Sequence, residues 1–437
     1  MKDITFRENF WEDIKTDARK HIHLVLIATK PDIIKQAPIY LELKKRGENV
    51  ILCHTGQHYD FNLSGGLVEE FNLQPDFNLN IKGSLHKKVS QIIDRLGDVI
   101  EKMKEMDKVV IPYVHGDTMT AMAASNAAHA HEFASVHVEA GIRTLTPKKE
   151  IFEAIKNDFN WGNYYEKLQD RNNWERGSIE PYPEQFNTRA TEPASGLHCA
   201  SEELAKEFLL AEGCRPDRIK VTGNSVYDAT MIAKKNAANS TIFETYPQLK
   251  DGFIRFCIHR RENCLNEKRF LVQLEAIEKL VASNESVLWI LMNQTKSAIE
   301  KFGLEDRVEA LRKKDNIILS DVWPFYTDVI AAMEYASVCV TDSGSMQEEM
   351  NIMSIPCVTL RFGSDRTETI LAGANIIAPP TDSDLIVKII MGAKNNEAMK
   401  TVPNIYGTDV SRKIVDEVLA LLENNKLFSY EEDRLDM

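Results

Sequence analysis

Short apolar runs rich in β-branched residues alternate along this chain with longer segments in which apolar residues recur every three or four positions. The first run, HIHLVLIAT at 21–29, leads into KPDIIKQAPIYLELKKRG at 30–47, where Gly47 supplies a helix stop. NVILCHTGQHYD begins a second run and ends in a polar loop carrying Gln57, His58 and Asp60. Runs of this length and content predict strand, helix, strand. Successive units of that kind favour a parallel sheet with right-handed crossovers. The pattern returns at 108–131, KVVIPYVHGDTMTAMAASNAAHAH, a strand entering an alanine-rich helix, and again at the strand ASVHVEAG. SEELAKEFLLAEG at 201–213 predicts a helix with a glycine stop, and RIKVTGNSVYDA a short strand and turn.

A second α/β series opens with the strand FIRFCIHRREN at 253–263. Helices are expected over 266–283, 296–313 and near 327–335, with the strands SVLWILMN and NIILSDV between them. YASVCV at 335–340 suits a buried strand, which then turns through Ser343-Gly344-Ser345 into a helix that Asp342 or Ser343 can cap. IPCVTLRFGSDRTET gives another strand and a loop, ANIIAPP the last strand, and SRKIVDEVLALLENN an amphipathic helix that can cross back to the first domain. Between the two series, residues 145–180 lose their period and become polar and aromatic. That stretch reads as an insertion in the first domain, a lid or an oligomer contact, with one short helix near 149–158 and with Trp161, Tyr164, Tyr165 and Trp174 packing it. The expected architecture is therefore α/β with two domains, 1–222 and 223–408, the helix in 409–437 packing back on the first.

Length changes the picture little: 437 residues exceed what one hydrophobic core of about 250–300 residues supports. A formal charge of −13 argues against general nucleic-acid or membrane-surface binding, while leaving room for a local basic pocket. No apolar run is long enough to cross a bilayer, and the leader MKDITFRENFWEDIK is charged rather than signal-like, so the expected location is the cytoplasm. The seven cysteines form no CxxC pair and several fall inside apolar strands, which predicts buried thiols rather than a metal site or disulfides.

Candidate chemistry gathers at predicted strand ends. Asp117 and Glu139 leave neighbouring strands at the edge where open α/β sheets bind ligands, with Gly141 and Arg143 just beyond. Asp117 can equally serve as a helix cap. Two such carboxylates form a general acid/base arrangement. Lys30 and Lys35 flank the first helix start, either to meet a phosphate or to be solvated. His259, Arg260 and Arg261 at a strand end can hold a diphosphate, as can the helix start at Ser343. One turn further in, Glu348 and Glu349 can accept hydrogen bonds from ribose hydroxyls. The insertion ends in PYPEQFNTR, returning Glu184 and Arg189 toward the core, and a later loop carries Arg361, Asp365 and Arg366.

Taken in order, KPDIIKQAP, TGQHYD, HGDTMTAMAASNAA, HVEAGIRT, PYPEQFN, VTGNSVYDA, HRREN and TDSGSMQEE resemble the non-hydrolysing UDP-N-acetylglucosamine 2-epimerases across most of residues 22–380. The resemblance implies two Rossmann-like domains facing a cleft, as in GT-B glycosyltransferases. It implies epimerisation at C2 of a UDP-sugar by elimination of UDP and re-addition, without metal or nicotinamide cofactor, in a homodimer. By position, Asp117, Glu139 and Glu184 match the family's acid/base carboxylates and His259 its phosphate-side histidine. Lys35, Ser343, Gly344, Glu349 and Arg366 match nucleotide-binding positions; Lys30, Gln57, His58, Arg143, Arg189, Arg260 and Ser345 complete the candidate substrate set.

The departures matter for the substrate. The family's Gly-Thr-Arg-Pro-Glu is here Ala28-Thr29-Lys30-Pro31-Asp32, a bidentate arginine replaced by a point-charge lysine. Ser-Gly-Gly becomes Ser343-Gly344-Ser345, an aromatic near the uracil becomes Val329, and the arginine after PEQFN is Thr188, with Arg189 one place later. These changes open the substrate to a modified sugar such as a diacetamido or uronic acid derivative. A hydrolysing epimerase, a GT-B glycosyltransferase and a catalytically silent nucleotide-sugar-binding protein are the alternatives.

Overall fold

The computed structural model describes residues 1, 3–56, 65–424 and 426–428, so Gln57 and His58 lie outside the described residues. Its strands are β1 (Thr5–Phe6), β2 (His21–Ile27), β3 (Val50–His54), β4 (Phe77–Asn78), β5 (Val109–His115), β6 (Ser135–Ala140), β7 (Thr146–Pro147) and β8 (Trp174–Glu175). They continue with β9 (Ser195–Ala200), β10 (Ile219–Val221), β11 (Phe253–Cys257), β12 (Val287–Ile290), β13 (Ile317–Ser320), β14 (Ala336–Thr341), β15 (Cys357–Thr359) and β16 (Asn375–Ile377). Contacts group the chain into two units. One holds Met1–Ile142, Pro183–Ala229 and the described residues from Tyr406 on; the other holds Arg143–Tyr182 and Thr230–Ile405.

In the first unit the sheet order is β1-β4-β3-β2-β5-β6-β9-β10, parallel throughout except for β1 against β4. Six of the seven β2 residues and six of the seven β5 residues are buried, so these strands read as continuous apolar runs instead of alternating ones. From β2 the chain passes to β3 on one side and later returns to β5 on the other. Open α/β sheets bind ligands at the carboxyl ends of such a switch. The helix Lys30–Lys45 starts from a capping box: Thr29 donates from both N and Oγ1 to Asp32 Oδ2, at 2.9 and 2.8 Å. A helix over Leu85–Glu105, not anticipated from sequence, covers the sheet with the stripe Ile92, Leu96, Val99, Ile100 and Met103. The helix Val410–Glu423 is held in this unit, with the Ser411 N–H donating to Asp228 at 2.6 Å and Arg46 pairing with Asp416 at 2.6 Å. Gly223, at φ 98°, admits no side chain because the Tyr406 carbonyl occupies the place of a Cβ.

The second unit's main sheet runs β13-β12-β11-β14-β15-β16, wholly parallel, and reverses direction between β11 and β14. The single helix expected over 296–313 is two, Asn293–Lys301 and Glu305–Arg312, because Gly303 takes φ 64° between them. The insertion groups with this unit instead of the first. It also carries more structure than expected: helices Lys149–Asn157 and Trp161–Gln169 and the antiparallel pair β7–β8. Two of its aromatics explain the attachment, since Tyr164 donates to the Ile377 carbonyl at 2.9 Å and Tyr165 to that of Gly373 at 2.8 Å. Backbone bonds of 3.1 and 2.9 Å join Leu145 to Ser364. These partners are some 200 residues away in sequence, which is why local patterning assigned the segment elsewhere.

Candidate active site

Four charged side chains close on one another below the β2/β5 switch. His115, the last residue of β5, places Nδ1 3.0 Å from Asp32 Oδ1 and Nε2 2.5 Å from Glu139 Oε2. Lys35 donates its Nζ to the same Glu139 oxygen at 2.5 Å. All four are buried, Lys35 and Glu139 to 1% exposure. Charges held this far from water persist only when paired, and here two anions face two cations. Burial works against a charged His115, but the Glu139 carboxylate and the hydrogen bonds that His115 donates to Asp32 and Glu139 outweigh it and push the imidazole up to about 9.

Glu139 reaches this group through a backbone irregularity. Along β6 and β9, Val138 pairs with Cys199 and Ala140 with Ala200, so Glu139 is the extra residue of a bulge. Its φ of 60° is unusual for a residue with a side chain, and the neighbouring Gly116 and Gly141 also take positive φ. Bulges re-aim side chains, and strained φ values of this sort cost about 1–3 kcal/mol and concentrate at functional sites. Asp117 follows Gly116 at the end of β5 and is half-buried; its carbonyl accepts from Asn187 Nδ2 at 3.1 Å. The cap role open to Asp117 falls to Thr118, whose hydroxyl accepts the Ala121 N–H at 3.1 Å.

Glu184 is the first residue of the helix Glu184–Thr191 in the same unit. Arg189 sits on that helix's last turn, exposed, donating to the Gln185 carbonyl at 2.9 Å and lying 3.6 Å from Glu212. Lys30 opens the helix Lys30–Lys45 and is half-buried; Lys35, for which solvation was open, is buried. Arg143 is buried at the start of the second unit.

The second unit builds its own charged group at the β11/β14 switch. Asp342, at the end of β14, does not cap the following helix as expected. Its carboxylate accepts the N–H groups of His259 and Arg260 at 3.0 and 2.9 Å, Asn263 Nδ2 at 3.0 Å, and faces His259 Nδ1 at 3.0 Å. Burial opposes both charges of this pair, yet their attraction prevails: His259 is pushed up to about 10 and Asp342 down to about 2. His259 is thus a fixed cation at neutral pH.

Ser343 stands at the N-cap of the helix Gly344–Met353 but makes no side-chain cap bond. Its own N–H donates to the Thr341 hydroxyl at 3.0 Å, so the donors this helix start can offer an anion are those of its first turn. A Cβ on Gly344 would lie 3.3 Å from Asp365 Oδ2 and 3.5 Å from the Arg366 guanidinium carbon, so the turn rests directly on the next loop. There Arg361 pairs with Asp365 at 2.6 Å, and Arg260 lies 4.0 Å from the same carboxylate. Burial raises the proton affinity of Asp365, but Arg361, Arg366 and Arg260 overcome it and hold the carboxyl below the usual carboxylate range. Arg366 is bonded to Glu348, so Glu348, expected toward a ribose, is fully buried in an ion pair; Glu349 is buried and Ser345 half-buried. His115, Asp32, Asp342, Asn263 and Asp365 were not picked out as site members. Their signal is pairing across 79 or more residues for four of them, which no local pattern carries.

The sequence profile of the family described as UDP-N-acetylglucosamine 2-epimerase matches residues 41–156 and 176–420, interrupted within the insertion. The UDP-N-acetylglucosamine 2-epimerase of Methanocaldococcus jannaschii is 31% identical over 381 residues, covering 85% of this chain and 93% of that protein. Its crystal structure in complex with UDP-GlcNAc and UDP is similar at a TM-score of 0.75 and 28% identity, over 92% of this chain and 99% of the other. The Neisseria meningitidis UDP-GlcNAc 2-epimerase bound to UDP-GlcNAc gives a TM-score of 0.73 at 27% identity, over 92% and 100%. Two parallel sheets with charged groups at their switch points, and a profile match across most of the residues that form them, lead to one assignment: the chain belongs to the UDP-N-acetylglucosamine 2-epimerase family.

Proposed function

We propose that this protein is an isomerase that inverts C2 of a UDP-N-acetylhexosamine, converting UDP-GlcNAc to UDP-ManNAc or acting on a modified analogue. The reaction runs by elimination of UDP and its re-addition. Support comes from the similar M. jannaschii and N. meningitidis enzymes, whose structures hold UDP-GlcNAc. The observation that carries the reading is the division of labour between the two units: buried carboxylate chemistry in one, fixed cations and an open helix start in the other.

Asp117, Glu139 and Glu184 form the set that removes a proton from C2 and returns one to the opposite face. As the C2 proton leaves, its electron pair becomes the C1–C2 double bond and the C1–O bond breaks with its pair on UDP. The departing diphosphate gains negative charge, which fixed positive groups stabilise more than they stabilise the intact substrate. His259, held as an imidazolium, supplies such a charge. Arg260, the Ser343 hydroxyl and the N–H groups at Gly344 and Ser345 add donors, Glu349 takes the ribose, and Lys30, Lys35, Arg143, Arg189 and Arg366 set the surrounding field. The enzyme works in the cytoplasm as a homodimer, an arrangement that light scattering on the purified chain tests directly.

The deciding experiment is proton NMR of UDP-GlcNAc and its diacetamido and uronic acid analogues in deuterated water. Deuterium should enter C2 of one of them as both epimers accumulate, and Asp117→Asn or Glu139→Gln should abolish exchange while UDP still binds. Absence of exchange across the panel refutes elimination, and accumulation of free sugar with UDP makes the enzyme hydrolytic.

A further inference from the structure

Within the carboxylate set, the buried quartet separates Glu139 from its partners. Its Oε2 accepts two donors at 2.5 Å, one from Lys35 and one from His115. His115 is backed in turn by Asp32, whose other oxygen is committed to the helix start at Thr29. The titratable groups facing His115 are therefore Asp32 and Lys35 from the helix after β2 and Glu139 from the bulge in β6. Both ring nitrogens of His115 are thus committed to carboxylates, Nδ1 to Asp32 and Nε2 to Glu139, which leaves neither nitrogen to meet a nucleotide or sugar.

We propose that His115 is a positioning residue that stays an imidazolium throughout the cycle and, with Lys35, fixes Glu139 as the ionised, proton-accepting member of the carboxylate set. The proposal rests on the epimerase reading above and deepens it. Before reaction the quartet is neutral overall: Asp32 and Glu139 are anionic, Lys35 and His115 cationic. Glu139 takes the C2 proton, the C2–H pair forms the C1–C2 double bond, and UDP departs with the C1–O pair. The quartet then carries one positive charge. His115 cannot absorb the proton because both ring nitrogens already hold one, so the proton stays on the carboxyl. Two adjacent cations favour the carboxylate over the carboxyl, so the proton is passed back to the glycal on reversal or on to solvent. The donor for the opposite face of C2 is then Asp117 or Glu184, not Glu139.

Two measurements test this. Nitrogen-15 NMR of histidine-labelled enzyme without substrate should show His115 protonated on both nitrogens at pH 7 and losing its proton near pH 9. A neutral His115 at pH 7 overturns the proposal. That readout needs no turnover, so it stands even if no UDP-sugar reacts and the epimerase reading itself fails. In the second, His115→Gln keeps a hydrogen-bonding side chain but no charge. Its kcat should fall roughly 100-fold with little change in KM. The acid limb of its kcat profile should move to higher pH, because Glu139 loses a neighbouring cation. Lys35→Met should move that limb the same way. An acid limb unmoved in both variants, with UDP binding intact, reduces His115 and Lys35 to packing and refutes the assignment.

Discussion

Asp342 Oδ1 lies 3.0 Å from His259 Nδ1, and the same carboxylate accepts the backbone N–H groups of His259 and Arg260. One buried acid thus ties the end of β14 to the end of β11 across the second sheet's switch point and keeps a cation beside the helix start at Ser343. It is the counterpart of Asp32 and His115 at the switch of the first sheet.

Asp342→Asn should lower the pKa of His259 from about 10 toward the ordinary histidine range. UDP affinity at pH 8 should weaken roughly tenfold or more, and lowering the pH to 6 should recover part of it. Calorimetric titration with UDP at the two pH values checks this. Equal affinity at both would mean that His259 carries no charge used in binding.

Stability should pass through a maximum near neutrality. His259 and His115 have folded pKa values of about 10 and about 9, above their unfolded value of 6.5. Their contribution is complete below about pH 6.5 and is lost as pH rises through those values. Burial beside Tyr113 lowers His23 to about 4, so its contribution is present above about pH 6.5 and lost as pH falls toward 4. Asp342, lowered to about 2, adds a loss only in stronger acid. Urea midpoints measured from pH 4 to 10 should trace this dome, and a flat profile contradicts it.

Arg366→Leu should destabilise the second unit by about 3–5 kcal/mol, because it strands the buried Glu348 carboxylate. Adding Glu348→Gln in the same chain should restore part of the loss. Thermal denaturation of the single and double variants measures both. Equal stability of the single variant and the parent would show that Arg366 serves ligand alone.

Gly363→Ala places a methyl group 2.6 Å from the Leu145 carbonyl and 2.7 Å from Thr146 Oγ1. The joint between the insertion and its unit should open, increasing cleavage within 145–180 on limited proteolysis. Unchanged protection would show that Tyr164 and Tyr165 suffice to hold the segment.

Strand and helix order was written in the chain because parallel strands buried on both faces need unbroken apolar runs, and β2, β5, β11 and β14 all have them. Asp117, Glu139, His259 and Ser343 could be marked for the same reason, since each lies at or just beyond the carboxyl end of a strand that the pattern locates. Where patterning was weak it missed structure: the polar, aromatic insertion holds the helix expected near 149–158 but hides a second, Trp161–Gln169, and Gly303 breaks a helix that composition alone would continue. Only the tertiary structure decided that Lys35 and His115 share one oxygen of Glu139, that Asp342 serves a histidine instead of a helix, and that residues 143–182 join the second unit. Charge pairing in a buried site depends on distance through space, and side chains 24 to 104 residues apart meet there only after the strands between them have taken their places.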